Sequence, residues 1–294
     1  MTQKELKFYI NGTFYPASQA KISVMDRSFL YGDAVMEGIP IWKGVPFKID
    51  EHLKRLFEGM SVLMIGSPVT FQEAKKAILE TVRVNSLQSG WLRPQITRGE
   101  GQFADKWNVL SAKANFVVLT GAYPPDYLKT TGEKAIVASI PRVPSSCIPS
   151  ATKDCNYLNN ILAAIERVRA GVGAAIMLDL EGNVVEGIAY NVFLVKGGVI
   201  FTPTTRNCLS GITRATIIEL ARKKGHRVTE SDRMQVADLY LAEEVFVTSS
   251  GWLCQPLIEI DGRKVGDGKP GPITILLRRL LLEEMDRYAD DFKG

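Results

Sequence analysis

A lysine at a helix entrance, a glutamate set into an apolar strand and two loops able to gather an anion are the groups in this 294-residue chain with chemical potential. Lys153 stands in Thr152-Lys153-Asp154-Cys155-Asn156-Tyr157, after a Pro/Ser-rich loop. A lysine in such a loop is ordinarily a solvated charge. In a pocket that disfavours that charge, its amine can form a Schiff base. Glu186 interrupts the apolar run Val184-Val185-Glu186-Gly187-Ile188. It either points to water from a half-buried strand or is a buried carboxylate suited to a cationic nitrogen. In Ser210-Gly211-Ile212-Thr213-Arg214 a glycine opens a helix, so unpaired backbone N–H groups face outward at its positive end. Ser249-Ser250-Gly251 after a strand is a second possible nest of hydroxyl and N–H donors. Most such turns hold only water. Arg55 lies off the apolar stripe of its helix and reads by itself as solvated. Arg93, in Trp91-Leu92-Arg93-Pro94, alternates with apolar neighbours and can reach a carboxylate.

The rest of the composition narrows the chemistry. There are two histidines, His52 and His226, so a three-histidine metal site is excluded and no metal is expected. Proton transfer then falls to Lys, Tyr or carboxylate groups. The four cysteines, Cys147, Cys155, Cys208 and Cys254, form no C-x-x-C pair, which argues against a zinc knuckle or a redox pair. A net charge of +4 is small for this length. The densest basic cluster, Arg222 to Arg227, falls at a helix end, where cations meet the negative pole. No aromatic residues interleave with it, so nucleic acid is not an expected partner. Met1 to Ile10 is polar and charged, and no apolar run approaches membrane-spanning length. A cytoplasmic enzyme is expected, with no membrane partner.

The elements that must position these groups read as an α+β chain in two parts. Asn11-Gly12 and Lys43-Gly44 each mark a hairpin, over Lys7–Tyr15 and Ile39–Lys48. Asp50 is expected to cap a helix with Leu53, Leu56, Phe57, Met60 and Met64 on one face. Thr70 and Glu73 form a capping box for a second helix, with Ala74, Ala77, Ile78 and Val82 inward. Strands follow over Trp91–Thr97 and Asn115–Leu119. The Pro/Gly-rich stretch after them sets the expected division: a small α/β domain over 1–122, a linker over 123–132 and a larger domain over 133–294. That larger part is expected to hold a strand over Ala135–Ile140 and a helix from about Tyr157 to Val168. A three-strand meander from Ala174 to Phe201, a helix opening at Ser210-Gly211, a strand ending at Thr248 and a last helix after Pro272 complete it.

None of these groups decides the matter singly, but their combination and order resemble the fold-type IV pyridoxal-5′-phosphate (PLP) enzymes over roughly Tyr9 to Leu281. That family includes branched-chain aminotransferases, D-amino-acid and (R)-amine transaminases and aminodeoxychorismate lyase. The resemblance is carried by Tyr31-Gly32-Asp33-Ala34-Val35-Met36-Glu37-Gly38-Ile39 and Glu51-His52-Leu53-Lys54-Arg55-Leu56. It continues through Lys153-Asp154-Cys155-Asn156-Tyr157-Leu158-Asn159-Asn160, Glu186-Gly187-Ile188-Ala189-Tyr190-Asn191-Val192-Phe193 and Leu209-Ser210-Gly211-Ile212-Thr213-Arg214. It implies a two-domain fold, the larger domain a pseudo-barrel. Lys153 becomes the Schiff-base lysine and proton shuttle, and Glu186 the partner of the pyridine nitrogen. Tyr157 bonds the ring hydroxyl and Leu209 packs on the ring. Arg55, Ile212, Thr213 and Ser250 hold the phosphate, with Asn191 and Gly211 also at the cofactor.

Within that family, Tyr31 before Gly32 and Arg93 in its strand match the branched-chain type. There the arginine meets the side-chain carboxylate of glutamate. The D-amino-acid type would carry a basic pair where Phe103 and Asp105 stand. Several residues depart from the usual pattern: Met36 replaces an aromatic, Pro40 an arginine and Trp91 a tyrosine, and Trp252 follows Gly251. The implied substrate pocket comprises Tyr31, Met36, Trp91, Arg93, Tyr123, Gly251 and Trp252. Phe103 and Asp105 are expected from a neighbouring subunit of a homodimer or larger assembly. The first reading is an L-amino-acid aminotransferase using glutamate and 2-oxoglutarate as one pair. A D-amino-acid or (R)-amine transaminase, an aminodeoxychorismate lyase and a non-enzymatic PLP-binding protein are the alternatives.

Overall fold

The computed structural model describes residues 5–101, 107–124, 127–128 and 131–293. The chain divides into two compact units, one of Met1–Pro124, Thr152–Asn156 and Met285–Gly294, the other of Pro125–Ala151 and Tyr157–Glu284. Thus the expected linker spans the boundary, and two later segments join the N-terminal unit.

The first unit opens with β1 (Lys7–Ile10) and β2 (Thr13–Pro16), joined where Asn11 and Gly12 both take positive φ, as a two-residue hairpin requires. A short helix the sequence did not suggest, α1 (Arg27–Tyr31), is capped by the Asp26 side chain. Then come β3 (Ala34–Met36), β4 (Ile39–Trp42), β5 (Val45–Pro46), α2 (Ile49–Val62), α3 (Phe71–Val84), β6 (Ser89–Glu100) and β7 (Lys113–Ala122). The Lys43-Gly44 turn and the Thr70/Glu73 capping box are as expected. Asp50 is not the cap of α2. Lys48, in a left-handed conformation, precedes the helix, and Asp50 sits in its first turn, where its charge faces the positive pole. The strands form one sheet in the order β2-β1-β7-β6-β4-β5, with β3 also on β6. Both helices lay their apolar faces on it: Leu53, Leu56, Ala74, Ile78 and Val82 share a core with Ile39, Leu92 and Phe116.

The second unit contains β8 (Glu133–Val137), α4 (Leu158–Arg169), β9 (Ala174–Leu178), β10 (Val184–Gly187), β11 (Asn191–Lys196) and β12 (Val199–Thr202). It continues with α5 (Ile212–Lys223), β13 (Val228–Glu230), α6 (Val236–Tyr240), β14 (Glu244–Ser249), β15 (Leu253–Ile260) and β16 (Arg263–Lys264). The last helix, α7 (Pro272–Lys293), begins here, with Pro272 in its first turn, and its C-terminal part from Met285 belongs to the first unit. The expected three-strand meander is four strands. A tight turn from Gly187 N–H to Tyr190 C=O (2.7 Å) splits it, although Ile188 and Ala189 are not turn-forming types. The sheet runs β10-β9-β8-β15-β14-β11-β12-β13, and β10 also pairs with β11 through Glu186 and Asn191. That last pairing closes the strands into the expected barrel-like ring, filled by Ile176, Val192, Leu194, Val245, Val247 and Leu257. Among the described residues no helix is long and apolar enough to cross a membrane.

Candidate active site

In the first unit, Lys153 lies in an extended segment laid against β3. The Met36 N–H donates to the Lys153 carbonyl at 2.8 Å and the Cys155 N–H to the Ala34 carbonyl at 3.0 Å. The Asn156 side chain donates to the Gly32 carbonyl (3.1 Å), so the segment is fixed at both ends. Lys153 is half-buried there.

One residue beyond β3, the buried carboxylate of Glu37 takes the guanidinium of Arg55 on both oxygens, Nε to Oε1 at 2.6 Å and Nη2 to Oε2 at 2.7 Å. His52 Nδ1 lies 2.7 Å from the same Oε2. Burial alone would raise the Glu37 carboxyl, but the charge and hydrogen bonds of Arg55, helped by His52, hold it down at about 2. His52 is pushed below its usual value, chiefly by burial. Arg55 is therefore not the solvated helix arginine it resembles by position; its side chain is 12% exposed. Sequence reasoning assigned no role to Glu37 or His52. The available signal was the spacing of His52 and Arg55, three apart and hence on one face of α2.

The first unit also carries the implied substrate residues. Arg93, half-buried on β6, donates to the Gln95 side chain (3.2 Å), and its Nη2 lies 4.0 Å from Cys155 Sγ. Met36 is buried in β3, and Tyr123 is half-buried just past β7. The Trp91 indole lies across Gly121 on the neighbouring strand; a Cβ at Gly121 would fall 2.7 Å from that ring. Tyr31 is exposed, with the Arg27 guanidinium 4.9 Å from its ring centre and Trp107 stacked at 6.2 Å. Phe103 and Asp105 lie outside the described residues.

In the second unit, Glu186 is buried on β10, so the solvent-facing alternative is excluded. Arg142 Nε meets its Oε1 at 2.5 Å, and Oε2 accepts the Leu209 N–H at 3.2 Å. Asn191, opposite Glu186 in register, donates to the Leu209 carbonyl at 2.9 Å. Gly211 packs against that amide so closely that a Cβ there would clash with Asn191 Oδ1. Gly211 caps α5 without a side-chain bond, and Ile212 and Thr213 open the helix. Thr248 faces Asn191 across β11 and β14, so the two side chains share a face of the sheet. Its buried hydroxyl has no hydrogen-bond partner. Ser250 and Gly251 follow β14, half-buried. Trp252 stacks on Tyr190 (5.1 Å, 10° between planes), and its carbonyl accepts from Arg278 at 3.2 Å. Tyr157 precedes α4 as its cap residue, half-buried.

Each unit thus gathers its share of the expected residues: Lys153, Arg55, Arg93, Met36 and Trp91 in one, and Glu186, Asn191, Leu209, Gly211 and the start of α5 in the other. The chain belongs to the class IV amino-transferase family, whose model matches residues 34–260. A protein of Methanocaldococcus jannaschii, provisionally named a branched-chain-amino-acid aminotransferase, is 40% identical over 93% of this chain and 94% of its own. The Escherichia coli K12 branched-chain-amino-acid aminotransferase is 34% identical over 93% of this chain and 91% of its own. Among solved structures, the branched-chain aminotransferase of the archaeon Thermoproteus uzoniensis with norvaline superposes with a TM-score of 0.88 at 33% identity, covering 96% of this chain and 95% of the other. A further bacterial branched-chain amino acid aminotransferase, complexed with N-(5′-phosphopyridoxyl)-L-glutamate, superposes with a TM-score of 0.89 at 33% identity, covering 96% of this chain and 94% of the other. The α+β fold with a barrel-like second sheet is that of these fold-type IV enzymes.

Proposed function

We propose that this chain is a PLP-dependent aminotransferase moving an amino group between a branched-chain or other apolar L-amino acid and 2-oxoglutarate. The observation that carries the two-substrate reading is Arg93. It is a half-buried cation whose neighbours are an amide and a thiol, and no carboxylate pairs with it among the described residues. One pocket must accept glutamate and an apolar partner in turn. A guanidinium that can fork onto a carboxylate, with an apolar stem, suits both.

The residues fit the cofactor chemically. A buried carboxylate at Glu186 matches a protonated pyridine nitrogen. The glycine-opened start of α5 offers N–H donors to a phosphate, and the Thr248 hydroxyl beside it is buried and unsatisfied. When bound, PLP supplies an aldehyde that takes up the amino group and a ring that withdraws electrons. Lys153 holds the cofactor through its amine and moves the proton at the substrate Cα. Glu186 keeps the ring nitrogen protonated, and Arg55 holds the phosphate. Tyr157 bonds the ring hydroxyl.

The assembly we propose is a homodimer. On α4 the side chains of Leu158, Ile161, Leu162, Ile165 and Val168 are all exposed, at spacings that put them on one face. An apolar face of that extent is ordinarily covered. Ile161→Glu should shift the sedimentation of the wild-type dimer toward monomer; an unchanged dimer would rule α4 out as the interface.

A spectrophotometric panel tests the activity. Wild-type protein loaded with PLP should convert to its pyridoxamine form with L-leucine, L-valine and L-glutamate, and Lys153→Ala should lose most turnover and all borohydride-stable attachment at that position. Conversion by D-amino acids or (R)-amines in place of the L-series would overturn the substrate assignment.

A further inference from the structure

We propose that Glu37 is a positioning residue that presets the Arg55 guanidinium to receive a phosphate, acting together with His52; this rests on the PLP reading above. A fully buried carboxylate is costly to desolvate, by several kcal/mol unless it is paired. Here both oxygens are used: Oε1 by Arg55 Nε, and Oε2 by Arg55 Nη2 and His52 Nδ1, all within 2.6 to 2.7 Å. Two parallel bonds along one edge of a planar guanidinium fix its plane and hence the direction of its other donors. An arginine tethered only through its helix would have to give up that rotamer freedom on meeting an anion, at a cost of up to about 2 kcal/mol.

Glu37 is itself fixed. Its N–H donates to the Pro94 carbonyl at 2.8 Å, one residue from Arg93. The residue before it, Met36, bonds the Lys153 carbonyl. The same short stretch of chain therefore registers the arginine, the lysine segment and the strand carrying Arg93. His52 completes the device. Burial keeps it neutral, so it donates Nδ1–H to the carboxylate without adding a second cation to compete with Arg55.

A merely stabilising ion pair would predict something different from a phosphate-orienting one. The discriminating measurement compares the dissociation constants of PLP and of pyridoxal, which has the same ring and aldehyde but no phosphate. With Glu37→Gln, PLP binding should weaken by about tenfold or more while pyridoxal binding stays unchanged. Arg55→Met should lose the same phosphate preference, and adding Glu37→Gln to it should lose nothing further. If Glu37→Gln does not fold, His52→Gln carries the test and should show a smaller loss of the same phosphate-dependent kind. Equal weakening of PLP and pyridoxal, no weakening of either, or full additivity with Arg55→Met would overturn the positioning role alone. Failure of the unsubstituted protein to bind PLP at all would overturn the functional reading with it.

Discussion

Arg142 and Glu186 form a close ion pair, Nε to Oε1 at 2.5 Å, although Glu186 sits on a buried strand and Arg142 in a loop far earlier in the chain. The second Glu186 oxygen takes the Leu209 N–H, so the carboxylate is held at a fixed angle before any ligand arrives. In cofactor-free protein, a double-mutant cycle of Arg142→Met and Glu186→Gln, followed by urea unfolding, should give a coupling of about 1–3 kcal/mol. Strict additivity would show that the pair contributes nothing to the fold. Glu186→Gln should also slow proton abstraction in single turnover, because a neutral amide bonds a cationic nitrogen roughly half as strongly as a carboxylate does.

Arg93 separates the two substrates. Arg93→Met should weaken 2-oxoglutarate by about 1.5–3 kcal/mol, the range for a hydrogen bond to a charged group. The half-reaction with leucine should change much less. If both half-reactions fall equally, or neither does, Arg93 does not meet the glutamate side chain.

Acid should destabilise the first unit in two stages. His52 has its pKa lowered from 6.5, chiefly by burial, so its contribution is complete above that value and is lost as pH falls through the lower folded one. Burial opposes the Glu37 charge, but Arg55 and His52 outweigh it and lower that group from 4.5 to about 2. Its contribution is full above 4.5 and fades as pH approaches 2. Urea midpoints recorded against pH should therefore decline from just below 6.5, and His52→Gln should flatten the first stage only. A midpoint independent of pH across that range would contradict the buried cluster.

The four cysteines should label in a fixed order. Cys147 is exposed, whereas Cys208 and Cys254 are buried. Burial pushes the Cys208 thiol up to about 12 and that of Cys254 higher still. Cys155 is intermediate, raised by burial against the opposing pull of Arg93. Iodoacetamide at mild alkaline pH, with peptide mapping, should modify Cys147 first, and Cys208 and Cys254 only as the protein unfolds. Labelling of Cys254 at the rate of Cys147 would show that the α7 side of β15 opens readily.

What the sequence revealed tracks how local each determinant is. The Asn11-Gly12 turn and the Thr70/Glu73 box are set by neighbours in the chain, and both are present as read. The turn through Ile188 and Ala189 was missed because apolar residues there give no turn signal; the pairing of Glu186 with Asn191 imposes it. Arg142 was not legible for a related reason. It lies 44 residues from Glu186, and only the assembled sheet brings them together. Glu37 stood inside a motif already noticed, but its partner Arg55 becomes apparent only once β3 and α2 are packed.

The first unit closes with the last residues of the chain: Trp42 Nε1 donates to Asp286 Oδ1 at 2.7 Å, Lys43 pairs with the same carboxylate, and Phe47 meets Tyr288 edge-on. The strand partner of β3 comes from 152–156. On the ribosome, therefore, the hairpin of β4 and β5 emerges early and waits for nearly the whole of synthesis before its final contacts exist. A nascent chain stalled at residue 150 would hold β3 with one edge unpaired and Trp42 without its acceptor. Release of the C-terminus, and not completion of the first half, is the event that lets this unit become native.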